Sequence, residues 1–334
     1  MRRPLILGLG ILAVAAVSAA GAYALTSNYY RGVLEGIHFI RDTNTQYQFI
    51  APLLSVVLPK ETGGGRFAPL VSKINAVAAA EPSGTLIRYS VYFRDLATGN
   101  WTGINENAQY NPASMLKVAA AIATYKQGED HPGYLDSRPV HTRQLADINA
   151  QFPYAPSVVL TVGSSYSIPF LVQEMLSDSD NAAKDLLLSS INAAALNDIY
   201  TDLLIPLPSD TDSSNYTISS LDYSRFFRVL YNGSYLTRDD SNTVLGYLAK
   251  AAYTQGLVAG IASSTPVAHK YGEHVNGDNN IVTSVELHDC GIVYHPTNPY
   301  FLCVMTEGHD DAALAAFIAK VSKAVYDEVS AGYK

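Results

Sequence analysis

The chain opens on apolar residues that no charge interrupts. Met1-Arg2-Arg3 is basic, and Pro4 through Leu25 then runs without a charged side chain. A stretch of about 22 such residues is long enough, at about 1.5 Å rise each, to cross the hydrocarbon core of a bilayer. The arginines ahead of it predict a cytoplasmic N-terminus, with everything after it outside. Ala22-Tyr23-Ala24 also fits a small-x-small cleavage site, so a retained anchor and a cleaved signal peptide both fit residues 1–25. Residues 26–82 mix amphipathic pieces with a Gly63-Gly64-Gly65 joint and read as a stalk and lead-in. Helical spacing over Val71 to Ala80 predicts the first helix of the folded body.

From residue 83 onward the period alternates between two and 3.6. Ile87 to Phe93 is β-branched and aromatic, Ala97-Thr98-Gly99-Asn100 is a turn, and Trp101 to Ile104 should close a hairpin. After Ser114 the apolar positions fall at Val118, Ala119, Ala121, Ile122 and Tyr125, the stripe of a helix. Further helices are predicted over 168–176, 182–200, 219–231 and 241–252. Strands return at Val267 to Lys270, Cys290 to Tyr294 and Tyr300 to Met305, and a helix over Ala312 to Val329 closes the chain. Strands near both ends with helices between them predict an α+β fold, a three-layer α/β/α sandwich. Its antiparallel sheet comes from both chain ends, with an all-helical lobe inserted.

Composition removes whole classes of function. Of 334 residues, 48% are hydrophobic and 16% charged, enough for a large core and too apolar for disorder. The net charge of −8, with no long Lys/Arg run, argues against nucleic acid as a partner. Two cysteines cannot build a disulfide-dense scaffold or a Cys-rich zinc cluster. Cys290 and Cys303 fall on strands that should be hairpin neighbours, and both a bridge and two buried thiols fit them. His269, His274 and His288 cluster but lack HExxH spacing, so core or solvated histidines are expected and no metal or cofactor. No GxSxG is present, which leaves a nucleophile-elbow hydrolase unsupported. The 23 tyrosines suggest no mechanism.

Three short motifs carry candidate chemistry. In Ser114-Met115-Leu116-Lys117 the serine starts a helix and the lysine follows one turn along the same face. A serine hydroxyl needs a base, and a lysine amine serves if burial lowers its pKa. Alone, the spacing is common by chance and reads more simply as an N-cap serine and a surface lysine. In Ser179-Asp180-Asn181 the outer two side chains can point to one side, giving a hydroxyl for proton relay and an amide for a substrate carbonyl. Alone, the triplet is an ordinary N-cap cluster for a helix from Ala182. Lys270-Tyr271-Gly272 puts a cation beside a backbone that a ligand can approach closely, and an edge-strand lysine before a turn is its plain reading.

Taken in this order, the three motifs resemble those of class A β-lactamases and penicillin-binding proteins. Val91 to Leu96 with its turn is similar to that superfamily's first hairpin. Asp289-Cys290-Gly291-Ile292-Val293 and Pro299 to Thr306 are similar to its last two strands, so the likeness runs from Leu86 to the C-terminus. It implies that Ser114 is acylated with Lys117 as its base, and that Ser179 passes a proton to the leaving nitrogen. Asn181 would hold the substrate amide, and Lys270 would attract a substrate carboxylate and tune Ser179. The backbone N–H groups of Ser114 and Glu273 would form the oxyanion hole, and Gly272 would keep the strand edge open. The substrates implied are β-lactams or peptidoglycan-type peptides ending in D-alanine. The N-terminal run places the chain, expected to be a monomer, outside the cytoplasm, held at the membrane or, if that segment is cleaved, secreted.

Two departures bear on turnover. Class A β-lactamases carry a glutamate between the second and third motifs that activates the deacylating water, and residues 182–269 contain none. Asp210 and Asp212 lie in the corresponding stretch, one methylene too short, and a misplacement of about 1 Å can cost about 10²-fold. Tyr271 stands where the family has Thr or Ser, which implies a reshaped site or a ring turned into the core. The expected function is therefore acyl transfer through Ser114 with slow or unconventional deacylation. A D,D-peptidase and a non-turnover penicillin-binding sensor are the alternatives.

Overall fold

The computed structural model describes residues 22–23, 38–41, 47–57, 67–142, 156–208, 215–278 and 281–333. The uncharged N-terminal run apart from Ala22 and Tyr23, the Gly63-Gly64-Gly65 joint, Asp210 and Asp212 lie outside them. Among the described residues no helix is long and apolar enough to cross a membrane.

Strands β1 (His38–Arg41) and β2 (Leu53–Val57) form a small antiparallel ladder, followed by α1 (Ala68–Ala79). Next come β3 (Leu86–Asp95), β4 (Trp101–Ile104) and the two-residue β5 (Gln109–Tyr110). A single 3₁₀ turn, Ala113–Leu116, leads straight into α2 (Lys117–Asp130). The helical lobe continues with α3 (Ile168–Ser177), α4 (Asn181–Leu188) and α5 (Ala193–Asp202). After β6 (Ile218–Ser219) it is completed by α6 (Ser220–Asn232) and α7 (Arg238–Leu248). The chain ends with β7 (Val267–Asp278), β8 (Ile281–Val293), β9 (Tyr300–Gly308) and α8 (Asp311–Ser330).

The main sheet is antiparallel throughout, in the order β4-β3-β9-β8-β7, so strands from both chain ends meet at β3 and β9. Side chains alternate between its two faces. Val91, Phe93, Leu287, Leu302 and Val304 bury against α1 and α8, whereas Tyr92, Cys290, Ile292, Cys303 and Met305 bury against the helical lobe. These are the three layers and the α+β fold expected from the sequence.

Three local differences have clear causes. The helix expected over 182–200 is two helices, because Asn192 caps α5 by accepting from Ala194 N. β7 and β8 are far longer than predicted, pairing from Val267↔Val293 out to Asp278↔Ile281, since their polar outer residues hide the alternation. The lead-in is also part of the body: Leu70 and Ile74 of α1 are buried beside α8, and Ala51 N donates to Tyr231 O at 2.9 Å.

Candidate active site

The lower end of α2, the loop before α4 and the edge strand β7 converge on one point. Ser114 lies in the 3₁₀ turn and Lys117 opens α2, so one helical turn separates them on a common face. Lys117 is buried, and its Nζ bonds Ser179 O at 2.5 Å, Ser179 Oγ at 3.0 Å and Asn181 Oδ1 at 2.8 Å. From β7, Lys270 Nζ donates to the same Ser179 Oγ at 3.0 Å and to Tyr271 O at 3.2 Å. One hydroxyl is thus held between two lysines. The Ser179-Asp180-Asn181 triplet does both of the jobs it could do. Asp180 caps α4 by accepting from Ala182 N and Ala183 N, which turns the flanking Ser179 and Asn181 to Lys117.

Burial sets the electrostatics. Desolvation lowers the Lys117 pKa well below the usual lysine value, and the nearby Lys270 and Lys184 push it further the same way. Burial lowers Lys270 to about 7, against an opposing pull from Asp289. At the site itself, Ala113 at φ 47° and Ser179 at φ 58° are held in the left-handed region. For residues with a Cβ this costs on the order of 1 kcal/mol each, and both flank the reacting groups.

The turn carrying Ser114 is fixed by residues that the sequence did not single out for this task. Asn111 Oδ1 accepts from Ala113 N at 3.0 Å. Glu286 Oε2 accepts from Asn111 N at 2.8 Å, and His288 Nε2 meets Asn111 O at 3.0 Å. Thr306 N donates to His288 Nδ1, so the ring carries its proton on Nε2 and donates it to Asn111 O. Tyr223, fully buried, donates its hydroxyl to Met115 O at 3.1 Å. Only register across β7–β9 and the packing of α6 bring these groups together, so no local pattern announces them.

Gly272 departs from its expected role. A Cβ there would come within 2.9 Å of Met115 Cγ and nearer still to Pro112 O. The missing side chain makes room for the nucleophile's own turn rather than for a ligand. Tyr271 is turned inward, 5% exposed, with its ring stacked on Tyr253 at a centroid distance of 4.3 Å. It is therefore not the cleft-side donor expected of a substrate-binding residue. Glu273 follows on the same face, where burial and then Asp311 raise its pKa.

The three histidines make separate contacts, His269 on one face of the sheet and His274 and His288 on the other. His269 Nδ1 meets Asp289 Oδ1 at 2.7 Å, His288 holds Asn111, and His274 lies further along β7. Among the described residues no three His, Cys, Asp or Glu side chains are grouped to hold a metal ion. Cys290 and Cys303, direct partners across β8 and β9, form a disulfide, which resolves the choice left open by the sequence.

The fold and its motifs have known relatives. A mutant of PBP-A, solved as its acyl-enzyme complex with penicillin G, superposes with a TM-score of 0.64 at 20% identity, covering 79% of this chain and 97% of that one. A variant of the class A beta-lactamase of the last common ancestor of Gram-negative bacteria gives 0.65 at 20% identity, over 78% and 98%. The class A beta-lactamase from Mycobacterium abscessus gives 0.62 at 18% identity, over 77% and 99%. No curated protein sequence matches the chain. The beta-lactamase enzyme family matches residues 69–329, a span that includes all three motifs and most of the chain. With Ser114, Lys117, Ser179 and Lys270 on the elements described, this chain belongs to the beta-lactamase enzyme family and is a serine hydrolase of that kind.

Proposed function

We propose that the chain forms an acyl-enzyme on Ser114 with β-lactams or peptides ending in D-alanine, and that it releases the acyl group slowly. The observation that carries this reading is the Ser179 hydroxyl held between Lys117 and Lys270. As a free amine, Lys117 has two N–H groups for Ser179 O and Asn181 Oδ1 and one lone pair for the Ser179 hydroxyl proton. That arrangement also serves Ser114. Lys117 takes the Ser114 proton as Oγ bonds to the carbonyl carbon. The C–N bond then breaks, and the proton passes through Ser179 to the leaving nitrogen. Lys270, as an ammonium beside Ser179 Oγ, makes that hydroxyl a better acid.

Slow release follows from what stands between the second and third motifs. Residues 182–269 hold no glutamate, so the family's deacylating water lacks its usual base. A second reading, a penicillin-binding sensor that acylates and stops, draws on the same fact. The uncharged run after Arg3 supports an extracytoplasmic position, with the chain held by, or released from, a single N-terminal segment. A monomer suffices for the chemistry, since all the named groups come from one chain.

Intact-mass spectrometry of the full chain with penicillin G, followed over time beside Ser114→Ala, tests the proposal. A wild-type adduct that forms and persists supports acylation with slow release. An adduct that clears within seconds refutes slow release, and equal behaviour of wild type and Ser114→Ala refutes acylation at Ser114.

A further inference from the structure

The cationic side of the active site is closed from within. Lys270 is 1% exposed, and its ammonium has three directions to satisfy. They end on Ser179 Oγ at 3.0 Å, on Tyr271 O at 3.2 Å and on the face of the Tyr271 ring, 4.2 Å from its centroid. A ring face is a good partner for a desolvated cation. The ring is itself fixed, packed on Tyr253 within the core shared with Leu257 and Phe317.

The other basic groups around the site are spent as well. Lys117, 3% exposed, uses all three directions on the Ser179–Asn181 loop. Lys184 pairs with Asp185 at 3.0 Å. Arg88 is divided between Glu307 at 2.5 Å and Glu286 at 3.0 Å. Those two carboxylates lie on the same face of the sheet as Lys270, in β9 and β8. Burial also weakens the hold of Lys270 on its proton near neutral pH. A ligand carboxylate entering here would lose its water and find these donors already engaged, an uncompensated buried charge. An uncharged group meets no such penalty.

We propose, building on the acyl-enzyme reading above, that among the β-lactams and D-alanine peptides named there this site prefers those whose terminal carboxyl is capped, as an ester or a primary amide, over those with it free. Tyr271 is the specificity-determining residue, because its ring occupies the one Lys270 direction that a small side chain would leave open.

The test compares penicillin G with its methyl ester on the full chain, reading the rate of Ser114 adduct formation by intact mass. The wild type is expected to react with the ester at least as fast as with the acid. Tyr271→Thr opens one Lys270 direction and adds a hydroxyl, and should shift the ratio towards the acid about tenfold, the worth of one charge-assisted hydrogen bond. Tyr271→Phe keeps the ring face and should leave the wild-type ratio unchanged. If the wild type reacts faster with the acid than with the ester, the inference is overturned and the acyl-enzyme reading stands. No adduct with either probe removes both. Should Tyr271→Thr fail to fold, the wild-type ratio and Tyr271→Phe still decide.

Discussion

Gly272→Ala is the substitution that most directly probes how the nucleophile is placed. The new Cβ would meet Met115 Cγ at 2.9 Å and the Pro112 carbonyl closer still, where ordinary contacts begin at 3.4 Å. Met115 is a flexible side chain and can yield, but Pro112 O is backbone and lies in the turn that leads into Ser114. Glu286 and His288 grip Asn111 from the other side, so the turn cannot simply slide away. Either β7 or the turn must retreat by roughly 0.5–1 Å, which separates Ser114 from the Ser179–Lys270 pair, and displacements of that size cost about 10²-fold in rate. The added methyl should also cost about 1–3 kcal/mol of stability through overpacking. The assay is the second-order rate of Ser114 acylation, with thermal unfolding in parallel to confirm that the variant is folded. A folded Gly272→Ala protein that acylates within about threefold of wild type would refute the placement argument.

Three other outcomes follow from the same geometry. Acylation should decline as pH rises through about 7, because Lys270 loses the proton that makes Ser179 a better acid, and a pH–rate profile of Lys270→Ala should lack that limb. Replacing both Cys290 and Cys303 by alanine opens a loop of sequence separation 13, which should cost about 3 kcal/mol and lower the unfolding midpoint by several degrees. Tyr223→Phe removes the donor to Met115 O, and calorimetry should show a loss of about 1 kcal/mol together with a few-fold slower acylation.

The three motifs were legible because each is short and its spacing is local. One helical turn puts Lys117 on the face of Ser114, and alternation about a capping Asp180 puts Ser179 beside Asn181, whatever the rest of the chain does. The layered α+β fold was legible for a similar reason, since period-two segments near both ends and period-3.6 segments between them leave few ways to bury both faces of a sheet. The split of one expected helix at Asn192 shows the limit of periodicity, for a cap interrupts the backbone without disturbing the apolar stripe.

Tertiary structure decided the rest, because it depends on which residues meet across long separations. Register alone sets Cys290 opposite Cys303 and closes a bridge that the sequence left open. One chain-distant strand and one helix supply Glu286, His288 and Tyr223 to the turn before Ser114, and none of the three belongs to a motif. Tyr271 is the clearest instance. Its place in the third motif follows from the sequence, but whether its ring faced ligand or core depended on Tyr253, a residue from the loop after α7, waiting to stack with it. Covalent neighbours fix which chemistry is available, and packing over long loops fixes where each atom of that chemistry points.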